Sequence, residues 1–144
     1  MRKYVMLRHI KSSEHHLLND DPVRPNITPD IKLSQGREVL VWEENDKPEA
    51  IVCISFTKEV AIQEEDLYNN YIGDNSVAML YTIWSYSPRA GRKLVRSAFE
   101  HLSKRSARVV TLSPKTDMAR RFHISNGAVE LQENTETINY EYKL

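Results

Sequence analysis

The stretch VAMLYTIWSYSPRAGRKLV, residues 77–95, decides the fold of this chain because it joins a strand directly to a helix. Its first ten residues are apolar or β-forming on both faces, as in a central strand of a sheet. From Leu94 to Leu102, apolar residues recur at helical spacing. Pro88 suits the first turn of that helix, where its missing N–H costs no hydrogen bond. The stretch therefore predicts a β-strand, a tight turn and an amphipathic helix.

Signals along the rest of the chain give the order β, α, β, β, β, α, β, α, β, β. The prolines between Asp20 and Pro29 predict irregular structure, and the polar residues 58–75 predict a connection. Ser113 or Thr116 is expected to cap the last helix, and Gly127 to end it. The other strands are predicted over 4–10, 38–42, 50–56, 107–112, 129–131 and 138–142, and a short helix over 12–18. This order predicts one α/β (α+β) domain, residues 1–144, with a mixed central β-sheet of six to seven strands flanked by helices.

Composition restricts the classes of function. Twenty basic and twenty acidic residues give no net charge, which disfavours a nucleic-acid or anionic membrane partner, although residues 89–121 are locally basic. No apolar run is long enough to cross a bilayer, and Arg8 interrupts any signal-peptide core. Cys53 is the one cysteine, so no internal disulfide can form, which fits a cytoplasmic protein. These features leave a cytoplasmic enzyme or binding protein, monomeric or homodimeric.

The turn between the central strand and its helix is the strongest candidate site. A helix N-terminus exposes unpaired N–H groups and a partial positive charge. Gly91 lets a ligand approach the backbone, and Arg89, Arg92 and Lys93 add positive charge. These features are typical of a pyrophosphate site. An ordinary turn leading into a solvated basic helix explains the same residues.

Two local patterns, together with the order of elements, resemble the GNAT superfamily of acyl-CoA N-acyltransferases. Residues 90–95 are similar to the end of that family's pyrophosphate loop and the start of its helix. Ala119, His123 and Gly127 fall at the spacing of its motif Asn-x-x-Ala-x-x-x-Tyr-x-x-x-Gly-Phe. The resemblance covers residues 77–132 by motif and the N-terminal half by element order alone. The later motif also resembles small, divergent members encoded by phages.

The resemblance implies an N-acetyltransferase that uses acetyl-CoA as cosubstrate and an amine acceptor that the sequence does not identify. His123 stands where many members have a tyrosine that protonates the departing thiolate, and an imidazole can carry a proton near neutral pH. Tyr81 is a second polar candidate for catalysis. The cofactor-binding residues that the resemblance implies are Ile83, Trp84, Ser85, Tyr86, Arg89, Ala90, Gly91, Arg92, Lys93 and Thr116.

Several departures from the family pattern leave another class of function open. Arg89 replaces the first glycine of the loop, and the central strand has no glutamate to act as a base. His123 and Tyr81 are each explained equally well as buried structural residues. A GNAT-fold protein without catalysis, acting as a structural or regulatory binding module, is therefore the alternative to the enzyme.

The remaining reactive residue types give weaker signals. His15 and His16 are adjacent, so their side chains on a helix point about 100° apart and chelate poorly, even with His9 nearby. We therefore predict no metal site. Cys53 lies within an apolar strand and is expected to be buried rather than nucleophilic.

Overall fold

The computed structural model describes residues 4–68 and 74–143. Residues 69–73, which belong to the predicted connection 58–75, lie outside the described residues. The strands are β1 (Val5–His9), β2 (Arg37–Glu44), β3 (Lys47–Thr57), β4 (Val77–Ser85), β5 (Arg108–Thr111), β6 (Ser113–Pro114), β7 (Ala128–Glu133) and β8 (Thr137–Tyr142). The helices are α1 (Pro29–Lys32), α2 (Ala90–Leu102) and α3 (Asp117–Ser125), with 3₁₀ helices at Ser12–Asp20 and Glu64–Leu67.

The described strands form a single mixed sheet in the order β1-β2-β3-β4-β5-β8-β6, and β7 pairs with β8. β4 and β5 are parallel, whereas the other pairs are antiparallel. The predicted fold class is confirmed. The sheet has eight strands within the described ranges rather than six or seven, because the two-residue β6 is too short to leave a pattern in the sequence.

Both faces of the sheet are covered. On one face, α2 buries Leu94, Val95, Ala98 and Leu102 against the sheet, as its spacing predicts. On the other face, the irregular segments between β1 and β2 and between β3 and β4 bury a second set of apolar side chains, which includes Leu18, Ile27 and Leu67. β4 lies between the two cores, so its long apolar run reflects burial on both sides. No helix in residues 4–68 and 74–143 has the length and apolarity needed to span a membrane.

The last helix follows its predicted caps, and the two earlier predicted helices need correction. Thr116 caps α3 by accepting a hydrogen bond from the Ala119 amide at 3.2 Å, and Gly127 follows the helix with a φ of 102°. Pro88, however, lies outside α2, which was predicted to include it. Arg89 has a φ of 70°, in the left-handed region, so the right-handed helix begins only at Ala90. The segment from Ser12 is a 3₁₀ helix rather than an α-helix.

Candidate functional site

β4 and β5 separate part-way along their length. Val77–Leu80 pairs in parallel with Arg108–Thr111, and the Leu112 amide donates the next hydrogen bond to the Leu80 carbonyl at 2.9 Å. Beyond that point, Thr82–Ser85 of β4 pairs with β3, and the described pairing of β4 with β5 does not continue. We call the resulting opening, between Tyr81–Ser85 and the chain that follows Leu112, the splay. It leaves one edge of β4 available to a ligand.

A β-bulge marks the point where the splay begins. Cys53 pairs with Thr82 and Ile54 pairs with Leu80, so Tyr81 is an extra residue in β4. A bulge bends its strand and increases the local twist. It therefore accounts for the divergence of β4 from β5 at this residue.

Backbone direction places two amides of β4 in the splay. The Tyr86 amide donates to the Glu49 carbonyl, on the β3 side, at 2.7 Å. Successive backbone groups of a strand point to opposite edges, and the register from Thr82 to Ser85 is continuous. The Trp84 amide therefore points toward β3, whereas the amides of Ile83 and Ser85 point into the splay.

The N-terminus of α2 lies directly after this edge of β4. The Ala90 amide donates to the Ser87 carbonyl at 3.4 Å, and the Lys93 amide donates to the Arg89 carbonyl at 3.1 Å. Among the residues that the structure describes, the amides of Gly91 and Arg92 have no such acceptor. The side chains of Arg89 and Arg92 are exposed, and none of the ion pairs found between described residues involves them. Two free amides and two free guanidinium groups thus meet at one helix end, which suits an anion.

Phe122 of α3 covers the same helix end from the side. A Cβ added at Gly91 would lie 3.2 Å from Cε1 of the Phe122 ring, which is closer than ordinary van der Waals contact. The absence of a side chain at Gly91 therefore lets α3 approach the start of α2. Phe122 forms an apolar wall beside the predicted phosphate position.

Three of the predicted cofactor-binding residues have side chains engaged elsewhere. Lys93 Nζ lies 3.4 Å from Glu44 of β2. Trp84 Nε1 donates to the Tyr86 hydroxyl at 3.0 Å, and that hydroxyl donates to Asp20 at 2.7 Å. Burial raises the pKa of Tyr86 to about 12, so its hydroxyl stays protonated. The structure brings Ile83, Ser85, Ala90, Gly91, Arg89 and Arg92 together, and it turns the side chains of Trp84, Tyr86 and Lys93 toward other partners.

Thr116 is exposed, and its hydroxyl oxygen serves as the α3 cap. This use of the oxygen as an acceptor leaves its O–H available as a donor. Its predicted contact with a cofactor stays a prediction.

His123 lies in the core between α3 and β8. Its Nδ1 is 2.7 Å from the Tyr142 hydroxyl, and its ring stacks on Tyr140 with centroids 5.3 Å apart. Burial lowers the pKa of His123 to about 4, so the ring is neutral at pH 7. Its predicted role as a proton donor to sulfur stays a prediction. For that role the imidazole would have to take up a proton, which its burial disfavours.

Tyr81 is the bulge residue, and its side chain is 2% exposed. Its hydroxyl has no hydrogen-bond partner among the described residues, and burial raises its pKa. A phenol in this position stays protonated and is isolated from solvent. Its predicted catalytic role stays a prediction. A buried, protonated hydroxyl favours a packing role for this side chain.

The sequence reasoning missed a buried polar group at the closed end of the splay. Arg24 donates from Nε to the Tyr81 carbonyl at 3.1 Å and from Nη2 to the Leu112 carbonyl at 2.9 Å. Its Nη1 lies 3.3 Å from Glu64. Arg24 stands between two prolines in a segment that shows no periodicity, so no local pattern indicates that it is buried.

A second ion pair supports this group. Lys32 Nζ lies 2.7 Å from Asp21, and both side chains are almost fully buried. Asp21 also accepts hydrogen bonds from the Thr82 hydroxyl at 2.6 Å and from the Arg24 amide at 2.9 Å. The irregular segment around residue 24 is thus fixed to β4 by charged and polar contacts.

Neither a protein-family model nor a curated protein sequence matches the chain. Solved structures do match. The PaiA N-acetyltransferase from Thermoplasma acidophilum, in complex with coenzyme A, is 11% identical with a TM-score of 0.65, over 98% of this chain and 99% of that one. This chain has the GNAT fold.

Two further GNAT-fold structures match over nearly the whole chain. A GNAT family acetyltransferase from Elizabethkingia anophelis with acetyl-CoA bound is 11% identical with a TM-score of 0.66, over 97% of this chain and 98% of that one. AAC(6')-Ib in complex with paromomycin and acetyl-CoA is 14% identical with a TM-score of 0.71, over 96% of this chain and 93% of that one. The structural matches establish the GNAT fold. Because the sequence identities are this low, they do not establish the activity, which must be argued from the site.

Proposed function

We propose that this GNAT-fold chain binds acetyl-CoA in the splay and transfers the acetyl group to an amine of an acceptor still to be identified. The observation that carries the proposal is the divergence of β4 from β5 beside the N-terminus of α2. It places the Ile83 and Ser85 amides within one opening and the free Gly91 and Arg92 amides at its end.

These groups match the two charged parts of the reaction. The amides of Gly91 and Arg92, with the guanidinium groups of Arg89 and Arg92, would hold the pyrophosphate. The amides of Ile83 and Ser85 would face the thioester carbonyl and stabilise the oxyanion that forms when a neutral amine attacks its carbon. Collapse of that intermediate breaks the C–S bond and leaves the amide product, while the proton that the amine loses passes through solvent to the departing CoA thiolate.

The related structures support acetyl-CoA as the cosubstrate. PaiA is in complex with coenzyme A, and the Elizabethkingia protein has acetyl-CoA bound. AAC(6')-Ib is in complex with both acetyl-CoA and paromomycin. By analogy with AAC(6')-Ib we infer an amine-bearing acceptor. The balanced net charge supports a chain that acts without a nucleic-acid or membrane partner, and we propose a monomer or homodimer in the cytoplasm.

A second candidate function is coenzyme binding without catalysis. It is favoured by the state of the two predicted catalytic side chains, since His123 is neutral and hydrogen-bonded to Tyr142 and Tyr81 is buried. Under this alternative the chain binds CoA as a structural or regulatory module. The two candidates share the binding site and differ in turnover.

Calorimetry tests the binding step. We expect CoA to bind and pantetheine, which lacks the pyrophosphate, to bind much more weakly. The double variant Arg89→Ala/Arg92→Ala should bind CoA at least about tenfold more weakly, because two charge-assisted contacts are lost. Lys104→Ala, a change at an exposed lysine near the other end of α2, is the matched control and should bind as wild type.

The absence of CoA binding at millimolar concentration would refute the proposal. Release of free thiol from acetyl-CoA in the presence of a panel of primary amines then separates the two candidates. Thiol release supports the transferase, and binding without release for every amine supports the module.

A further inference from the structure

Arg24 occupies the closed end of the splay, where β4 and β5 stop pairing. Its side chain spans the two strands, with Nε on the Tyr81 carbonyl and Nη2 on the Leu112 carbonyl. The residue is 8% exposed. The planar fork of a guanidinium suits two carbonyl groups on neighbouring strands, and the single point charge of a lysine does not.

The contact with Leu112 ends the ladder between β4 and β5. The Leu112 amide still donates to the Leu80 carbonyl at 2.9 Å. In a continued parallel ladder the Leu112 carbonyl would accept the next hydrogen bond from an amide of β4. Arg24 supplies that hydrogen bond instead, so an amide on this edge of β4 is left without a strand partner.

The Ile83 amide is the first on that edge beyond Arg24. It lies two residues from Tyr81 along β4, a distance of about 7 Å in an extended strand. The guanidinium contacts the Tyr81 carbonyl at the start of this interval, and its charge acts strongly there because Arg24 and Tyr81 are both buried. Glu64 lies 3.3 Å from Arg24 Nη1 and offsets part of that charge, while Asp21 is paired with Lys32.

We propose that Arg24 is a positioning residue for the acyl group, which keeps β4 and β5 apart and raises the positive potential at the Ile83 amide. The inference rests on the proposed binding of acetyl-CoA in the splay. Arg24 acts through β4 and needs no contact of its own with the thioester. Glu64 modulates the effect by partly neutralising the guanidinium charge.

Carbon-13 NMR of acetyl-CoA labelled at the acetyl carbonyl measures this polarisation directly and needs no acceptor. A carbonyl that accepts stronger hydrogen bonds resonates further downfield, so the bound signal of wild type should lie downfield of free acetyl-CoA. Arg24→Gln should lose most of that shift, and Arg24→Lys, which keeps the charge and loses the fork, should keep part of it. Glu64→Gln should enlarge the shift, because the guanidinium is then less neutralised.

Two controls separate polarisation from damage to the fold. Arg121→Gln removes an exposed cation of α3 and should leave the shift unchanged. Unlabelled CoA has no acyl group, so its binding by Arg24→Gln shows whether the phosphate site is intact in that variant. Thermal unfolding of each variant establishes that it is folded.

The inference is overturned if Arg24→Gln binds acetyl-CoA and keeps the full shift, or if the wild-type bound signal shows no downfield shift. If Arg24→Gln does not fold, Glu64→Gln decides, and an unchanged or smaller shift in that folded variant overturns the inference. If wild type binds neither CoA nor acetyl-CoA, the proposed function itself is refuted, and the inference that rests on it is refuted as well.

Discussion

At the scale of single residues, burial sets the chemistry of His123. The ring is 7% exposed, packs against Tyr140 and pairs with the Tyr142 hydroxyl. Desolvation disfavours the imidazolium form, which is why the pKa falls to about 4. The same side chain on an open surface would titrate near 6.5 and could exchange protons with a substrate at neutral pH.

The lowered pKa of His123 predicts a loss of stability in mild acid. The folded state binds fewer protons than the unfolded state between the pKa values of about 4 and 6.5, so this contribution is intact above pH 6.5 and falls as the pH falls toward 4. At pH 5 the loss from this residue is about 2 kcal/mol. Urea unfolding at pH 7 and pH 5 measures it in wild type and in His123→Gln.

The variant should lose less stability between the two pH values than wild type does. Burial and Arg105 lower the pKa of His101 as well, but His101 is present in both proteins and cancels in the comparison. Equal losses in the two proteins would show that His123 is not buried in its neutral form.

At the scale of elements, β4 and α2 could be predicted because their signals are local. Ten consecutive strand-forming residues and an apolar stripe at helical spacing specify each element without reference to the rest of the chain. The prediction that α2 includes Pro88 is wrong. Arg89 adopts a left-handed conformation, and its residue type does not indicate this. The resemblance to the GNAT superfamily implied Ile83, Trp84 and Ser85 and the loop that leads into α2 as cofactor-binding positions, and their contact with a coenzyme stays a prediction.

The splay itself could not be predicted from β4. It depends on the bulge at Tyr81, which is defined by the register with β3, and on Arg24, which is 57 residues away in sequence. The segment 20–29 shows only prolines and mixed polarity, although it contains a buried arginine and a buried aspartate. Contacts of this kind depend on tertiary placement, which periodicity does not report.

The contact between α2 and α3 leads to a second prediction. An alanine at Gly91 would place its Cβ 3.2 Å from the Phe122 ring, so the ring must shift. Gly91→Ala should therefore cost about 1 kcal/mol more in wild type than in a Phe122→Leu background, as expected for residues in direct contact. A double-mutant cycle by urea unfolding gives this coupling energy.

The same cycle between Gly91→Ala and Met118→Leu is the control. Met118 is on α3 and is 78% exposed, so we expect no coupling. A coupling as large as that of Phe122 would show that the effect is not due to the ring.

At the scale of the whole molecule, ion pairs neutralise much of the positive charge of the locally basic segment 89–121. Among the described residues, five cations of residues 89–121 form ion pairs with carboxylates on strands. These pairs are Lys93 with Glu44, Arg105 with Glu38, Arg108 with Glu141, Lys115 with Glu133, and Arg120 with Glu130. Arg89 and Arg92, at the predicted phosphate position, carry no such pair among the described residues, and the same is true of Arg96, Lys104 and Arg121.

The GNAT fold extends over regions in which the sequence carries no family motif. The resemblance to PaiA covers 98% of the chain at 11% identity, and it includes the N-terminal half, where only the element order agreed. A fold can persist while most residues change because the sheet requires apolar alternation and not particular side chains. Segments of this kind carry no motif for an acceptor, so the sequence does not identify the acceptor of the proposed transfer.

Two open clefts compete with the splay as ligand sites. They have volumes of about 600 and 470 Å³ and share Phe99 and Ser103. The first lies at the C-terminal ends of α2 and α3, and the second lies between the C-terminal end of α2 and strands β5 and β8. Neither is lined by residues 81–85 or by the start of α2. They therefore provide the alternative location against which the splay should be tested.

The most direct test of the central claim is a titration of ¹⁵N-labelled protein with CoA, followed by amide chemical shifts. We predict that the amides of Ile83, Ser85, Gly91 and Arg92 move first and furthest, because they face the coenzyme. Shifts confined to Phe99, Ser103 and Gly127, around the clefts at the opposite helix ends, or no shifts at millimolar CoA, would contradict the claim.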